Sequence, residues 1–317
     1  MKNQFFIKVK NYAAAAVIGM LLLFSSSTAQ AQQPARQRQE ARQPAKLMFA
    51  TTPDGVKIAI QEYGNPNGAE ILLIHGLLGS HLNWMKQVNN PLLGKYRLIT
   101  YDLRGHGLSG KPTDSIYYSD GKRWGDELQT VIAAAGLKRP TLVGWSLGGV
   151  VMTNYLNTYG DSNIAGLIFV DAVIELKPDL LIPHPETAKA MASLDLEIYL
   201  EGTRQFLRQC FFQQPDADTF NLLYANAAMA LPEMNRASQK GISIPAEVAL
   251  PKVSVPVLLI QGDKDELVEH KMVELGQKLM THAKVSIFAS AGHAPFLEQF
   301  DRFNRELNEF VRVASKK

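Results

Sequence analysis

The nine residues Thr141-Leu-Val-Gly-Trp-Ser-Leu-Gly-Gly149 constrain this chain more than any other stretch. An apolar, β-prone run enters Gly144-Trp145-Ser146-Leu147-Gly148, and a stretch of helical composition, Leu147–Tyr159, leaves it. G-x-S-x-G between a strand and a helix predicts a sharp turn with the serine at its apex. Such a turn strains the backbone at Ser146 and crowds the positions two before and two after it. Glycines at 144 and 148 have no Cβ and relieve that crowding. The turn lifts the Ser146 hydroxyl above the sheet edge, at a helix N-terminus that favours developing negative charge. Ser146 is the candidate nucleophile, and the rest of the chain must supply a sheet for the turn to cap.

That sheet is legible from residue 47 onwards. Apolar, β-rich runs fall at 46–51, 56–62, 70–75, 96–101, 140–145, 164–170, 255–261 and 284–289. Ile71-Leu72-Leu73-Ile74 and Val257-Leu258-Leu259-Ile260 are apolar throughout, as in strands covered on both faces by helices. Helical stretches alternate with them at 81–90, 121–135, 147–159, 266–280 and 295–313. The pattern predicts an α/β fold with a mostly parallel eight-stranded sheet flanked by helices. Thr52-Pro53-Asp54-Gly55 is a turn sequence, so the first two strands should form an antiparallel hairpin. Residues 173–250 are helical in pattern and carry no convincing strand, which predicts a helical cap inserted between core segments 47–172 and 251–317.

The charge balance excludes one class of partner. The net charge of +3 and pI near 8.8 suggest a polyanion ligand until the charges are located. Lys2, Lys8 and Lys10 are the only charged residues before Arg36; an apolar run from Ala13 to Phe24 and Ala29-Gln30-Ala31 follow them. A basic segment, a short apolar segment and an A-x-A site make residues 1–31 a signal peptide, with cleavage expected after Ala31. The apolar run is too short to span a bilayer, so no stable membrane span should remain after cleavage, and the protein is expected to be exported, periplasmic or secreted. Residues 32–46 are rich in Gln, Pro and Arg, hold Arg36, Arg38, Arg42 and Lys46 against Glu40, and read as a disordered basic leader. The remaining body is mildly acidic, which argues against a nucleic-acid partner. The lone Cys210 excludes an intrachain disulfide and lies far from the cleavage site, so it offers no lipoprotein-type attachment.

A serine hydroxyl needs a base to take its proton. Of the histidines at 75, 81, 106, 184, 270, 282 and 293, His293 lies between the last strand and the last helix, in Ser290-Ala-Gly-His-Ala-Pro-Phe296. The chain order nucleophile, acid, base selects it. Gly262-Asp263-Lys264-Asp265-Glu266 follows the seventh strand and offers the acid that holds the imidazole tautomer. Asp265 is the first choice, with Asp263, Glu266 and Asp171, at the end of the sixth strand, as alternatives. Two backbone N–H groups should form an oxyanion hole: that of Leu147, directly after the nucleophile, and that of Leu77 in His75-Gly76-Leu77-Leu78-Gly79. His75, Asp102, Arg104 and His106 read as scaffold for these loops. No metal site is expected, since H-E-x-x-H is absent and one cysteine cannot build a cluster. No nucleotide cofactor is expected, since neither phosphate-cradling glycine motif occurs.

The segments HGLLGS, DLRGHGLSG, GWSLGG, GDKDELV and AGHAPFLE resemble the α/β-hydrolase superfamily over nearly all of the chain from residue 47. Within it, the chain is similar to the branch holding serine esterases, cofactor-free haloperoxidase-like proteins and acyl-homoserine-lactone hydrolases. The resemblance implies a triad of Ser146, Asp265 and His293, with Leu77 and Leu147 as oxyanion donors and no cofactor. Serine at 146, where epoxide hydrolases and haloalkane dehalogenases carry aspartate, implies acyl transfer through an acyl-enzyme, and peracid formation could share it. The expected partner is a small-molecule ester with an apolar acyl group. A lactone, including acyl-homoserine lactones, is the alternative substrate, and a non-catalytic binding protein on the same fold is a third reading. The oligomeric state is left open. Seventeen cap residues are candidates for the acyl pocket: Leu180, Leu181, Ile182, Met191, Leu194, Ile198, Tyr199, Phe206, Leu207, Phe211, Phe212, Phe220, Leu222, Leu223, Tyr224, Met229 and Met234. Cys210 among them reads as a small buried hydrophobe.

Overall fold

The computed structural model describes residues 44–238 and 242–316. The expected signal peptide, its cleavage site and the leader up to residue 43 lie outside the described residues. Eight strands form one sheet: β1 Lys46–Thr51, β2 Lys57–Gly64, β3 Glu70–Ile74, β4 Arg97–Tyr101, β5 Thr141–Trp145, β6 Gly166–Val170, β7 Val257–Gly262 and β8 Lys284–Phe288. Their spatial order is β1-β2-β4-β3-β5-β6-β7-β8. β1 pairs antiparallel with β2 and β2 with β4; every other pairing is parallel. The hairpin turn closes as the Thr52-Pro-Asp-Gly sequence predicts, with Thr52 N–H donating to the Val56 carbonyl at 2.9 Å and Gly55 at φ +88°. β1 takes in Lys46, which the charge pattern assigns to the leader.

The helices are α1 Met85–Val88, α2 Gly121–Ala134, α3 Leu147–Tyr159, α4 Pro185–Met191, α5 Leu196–Gln209, α6 Ala217–Ala228, α7 Pro232–Ser238, α8 Ala246–Ala249, α9 Lys271–Leu279, α10 Pro295–Glu298 and α11 Phe300–Ala314. Every residue of β5, β6 and β7 is buried, which is why their sequences are apolar without alternation. α11 covers one face with Phe303, Leu307, Val311 and Ala314 at three- and four-residue spacing, and α2 covers the other with Trp124, Leu128, Val131 and Ile132.

Three helices depart from expectation. The stretch 81–90 is a 3₁₀ turn, His81–Trp84, closed by a Ser80/Asn83 capping box and followed by the short α1. The stretch 266–280 becomes helical only at Lys271, because the Asp265 carboxylate draws the Leu267 and Val268 N–H groups into a tight loop. The stretch 295–313 is broken at Gln299 (φ −125°, ψ 48°), which separates α10 from α11.

Helices α4 to α8 lie in the stretch between β6 and β7. This insertion is stitched to the loop after β7. Ile182 N–H donates to the Leu267 carbonyl at 3.0 Å, Glu269 N–H donates to the Leu180 carbonyl at 3.1 Å, and Leu181 bridges Val268. Among the described residues no helix is long and apolar enough to cross a membrane.

Candidate active site

The parallel strands all point their C-terminal ends the same way, and the loops leaving them converge. Ser146 caps α3 with φ 53° and ψ −117°, a conformation that L-residues rarely adopt. The strain is held by its surroundings: Ser146 N–H donates to the Val170 carbonyl at 3.1 Å, and its own carbonyl accepts from Gly149 and Val173 N–H, both at 2.9 Å. A Cβ on Gly144 would stand 2.7 Å from the Gly148 carbonyl oxygen, and one on Gly148 would stand 2.7 Å from that of Ile74. Both glycines therefore serve close approach, as the crowding of such a turn requires.

His293 sits in the loop between β8 and α10, almost fully buried. Its Nδ1 donates to Asp265 Oδ2 at 2.9 Å. Asp265 Oδ1 accepts the N–H groups of Leu267 at 2.8 Å and Val268 at 3.1 Å, which fixes the carboxylate. The His293 carbonyl accepts from Trp145 Nε1 at 2.7 Å, and the Trp145 ring packs against the His293 and Phe296 rings, so the neighbour of Ser146 locks the histidine loop in place. Of the four carboxyls weighed from sequence, Asp265 alone is bonded to His293. Asp263 Oδ1 accepts from Ser290 N–H at 2.7 Å, and Glu266 is exposed. Asp171 is buried beside the pair without bonding the imidazole; its Oδ1 accepts Gly262 N–H at 2.8 Å. Burial and the nearby Asp265 charge push the Asp171 carboxyl well above the ordinary carboxylate range. Asp171, Asp265 and His293 are also the one cluster of potential metal ligands among the described residues, with ligand atoms within 4.8 Å of one another. The imidazole edge facing Asp265 is already engaged in the 2.9 Å hydrogen bond.

The loop carrying Leu77 is braced by buried histidines. His75 Nδ1 donates to the Gly76 carbonyl at 2.8 Å while its Nε2 accepts from Leu103 N–H at 2.9 Å. His106 Nδ1 donates to the Arg104 carbonyl at 2.9 Å while its Nε2 accepts from Leu78 N–H at 3.2 Å. Each ring uses one nitrogen as donor and the other as acceptor, which only the neutral form can do. Burial accordingly lowers His75 to about 4 and His106 to about 3. Asp102 accepts from the His81 and Leu108 N–H groups, and Arg104 is buried against Glu127 and Asp54, so both act as scaffold. Among the described residues neither Leu77 N–H nor Leu147 N–H bonds a protein acceptor.

Ser146, His293, Leu77 and Leu147 all line one cavity of about 480 Å³. Its other walls are Val173, Leu176, Lys177, Pro178, Leu181, Ile182, Pro183, Phe206, Ser238, Leu267 and Val268. Of the seventeen cap residues nominated for the pocket, Leu181, Ile182 and Phe206 reach it. Met191, Tyr199, Leu207 and Met234 are buried elsewhere, while Leu194, Ile198, Phe212, Leu222 and Met229 face outward. The missed wall is the segment directly after β6 together with Leu267 and Val268, close behind Asp265, whose sequence proximity to the site is the signal that points to them. Cys210 is buried, and burial pushes its thiol up.

This frame is shared with known proteins. A family model described as the alpha/beta hydrolase fold matches residues 70–300. The chain belongs to the α/β-hydrolase family. A crystal structure of a candidate aryl esterase from Burkholderia cenocepacia is 50% identical to this hydrolase, covers 86% of it and 100% of its own chain, and superposes with a TM-score of 0.84. A non-heme haloperoxidase of Rhodococcus erythropolis is 25% identical over 84% of this chain and 99% of its own length. A bifunctional esterase/perhydrolase of Acinetobacter calcoaceticus is 23% identical over 83% and 99%. These relatives fall in the branches that the sequence motifs resemble.

Proposed function

We propose that this α/β-hydrolase is an exported serine carboxylesterase. His293 Nε2 takes the Ser146 proton as the hydroxyl oxygen attacks the ester carbonyl. The Leu77 and Leu147 N–H groups receive the oxyanion of the tetrahedral intermediate. Asp265 holds His293 with Nδ1 as the donor and stabilises the imidazolium. The alcohol departs with the proton from His293, leaving an acyl-enzyme on Ser146. Water, deprotonated by the same histidine, then attacks the acyl carbon and releases the acid.

The observation that carries this reading is one cavity lined by Ser146, His293 and the residues bearing two uncommitted N–H groups. Its wall is apolar apart from Ser238 and Lys177, and the Lys177 ammonium is engaged by Glu175 and Glu247. The walls therefore favour a compact apolar or aromatic acyl group over a charged one. Similarity to the Burkholderia cenocepacia protein supports aryl esters as the first substrates to assay. Export rests on the basic, apolar and small-residue pattern of residues 1–31, and a mature N-terminus at Gln32 by mass spectrometry tests it.

A fluorophosphonate probe should label the wild type and leave Ser146→Ala unlabelled, with ester turnover lost in parallel. An unlabelled wild type would overturn the serine mechanism. Paired linear esters and lactones with the same acyl chain separate esterase from lactonase use of the cavity.

A further inference from the structure

The Asp265–His293 pair has a third buried neighbour that the mechanism leaves without a task. Asp171 follows β6 with φ +41°, an uncommon conformation for a residue with a side chain. Its N–H donates to the Ile260 carbonyl at 2.8 Å and its Oδ1 accepts Gly262 N–H at 2.8 Å, so it is pinned to the strand that leads to Asp265. Its Oδ2 is buried with no hydrogen-bond partner. The charges facing it are Asp265 and Glu298, and the Cys210 thiol faces the same two carboxylates. His293, the one group there able to become cationic, is bonded to Asp265. Among the described residues no lysine or arginine ion-pairs with Asp171 or Asp265.

An ionised Asp171 would leave a buried charge unpaired beside another of the same sign, an arrangement that drives one carboxyl to keep its proton. The lone pairs of Asp265 say where that proton goes. Oδ1 already accepts two N–H groups; Oδ2 accepts His293 Nδ1–H and has one lone pair left. We propose that Asp171 is kept as a neutral carboxylic acid at pH 7 and gives its O–H to Asp265, acting as a positioning residue for the Asp265–His293 pair. The proposal rests on the serine-triad reading. The donated O–H limits rotation of the Asp265 carboxylate and spreads its charge.

Asp171→Asn is the decisive variant, because asparagine is neutral, similar in shape, tolerant of positive φ, and can donate an N–H to the same lone pair. The infrared difference between wild type and Asp171→Asn at pH 7 should show loss of the C=O stretch of a protonated carboxyl. The acid limb of kcat/KM should stay within about 0.3 pH unit of wild type. Asp171→Gly accepts φ +41° and removes the donor, and its acid limb should rise by about one unit. Absence of the protonated-carboxyl band overturns the proposal. So does an acid limb that falls by about one unit in Asp171→Asn, the signature of a lost negative charge. An unmoved acid limb in folded Asp171→Gly overturns the positioning role; if that variant does not fold, the two Asp171→Asn readouts decide. The infrared measurement needs no turnover and can be repeated in Ser146→Ala. Failure of the serine mechanism, seen as turnover persisting in Ser146→Ala, is thus distinct from failure of this proposal.

Discussion

Acidification should unfasten this protein through two histidines that do no chemistry. His75 and His106 are fully buried, with ring centroids 5.0 Å apart, and the fold holds them at about 4 and about 3 against an ordinary value of 6.5. Between pH 6.5 and about 4 the unfolded chain protonates both while the folded chain protonates neither. The unfolded state then binds more protons, so stability is fully present above 6.5 and is lost as the pH falls towards the folded values. Each histidine contributes a slope approaching about 1.4 kcal/mol per pH unit, or about 3 kcal/mol for His75 and about 5 kcal/mol for His106 over their full ranges. Folded proteins have only about 5–15 kcal/mol in total. Asp171, Glu127 and Glu298, raised by burial, work in the opposite sense, because the folded state takes up their protons first. The diagnostic is therefore a comparison of variants. His106→Gln keeps an acceptor for Leu78 N–H and a donor for the Arg104 carbonyl but cannot be protonated. Urea unfolding between pH 6.5 and 4.5 should give it a mean slope shallower than wild type by about 1.2 kcal/mol per pH unit. Superimposable slopes would refute the claim that His106 is buried neutral.

Asp265→Asn should lower kcat by about 10⁴ with little change in KM. The Leu267 and Val268 N–H groups keep the amide oxygen, so the NH₂ faces His293 and forces the wrong tautomer. Steady-state kinetics test this, and a loss smaller than tenfold would return Asp263 or Asp171 to consideration as the acid. Phe206→Ala should shift the preference on a p-nitrophenyl ester series towards longer acyl chains, since Phe206 lines the cavity. An unchanged chain-length profile would place the acyl group elsewhere.

What could be read in the sequence was local, and what could not was assembled across distance. β5, β6 and β7 are fully buried, so their composition announces them, and the Ser146 turn is specified by its own glycines. The order β2-β4-β3-β5 joins segments far apart in sequence and leaves no local mark. The break at Gln299 has neither glycine nor proline to signal it; the side chain instead donates to the Ala289 carbonyl. The late start of α9 at Lys271 follows from Asp265 taking the Leu267 and Val268 N–H groups. The cavity wall escapes sequence reading for the same reason: the apolar residues of α5 and α6 divide among buried positions, the surface and, for Phe206, the cavity, and composition cannot tell these apart. Asp171 and Asp265 lie far apart in the chain, and only the pairing of β6 with β7 makes them neighbours.

Leu77 and Leu147 both line the cavity that holds Ser146 and His293, and among the described residues neither main-chain N–H bonds a protein acceptor. Amino-acid substitution rewrites a side chain and leaves an amide N–H in place, except where proline arrives. If the two N–H groups have the oxyanion role proposed above, a lineage, or a library saturated at these two codons, can therefore reshape the cavity wall while both N–H groups are inherited unchanged. In that role, selectivity and charge stabilisation would share two residues without sharing an atom, which makes positions 77 and 147 direct places to look for new substrate ranges.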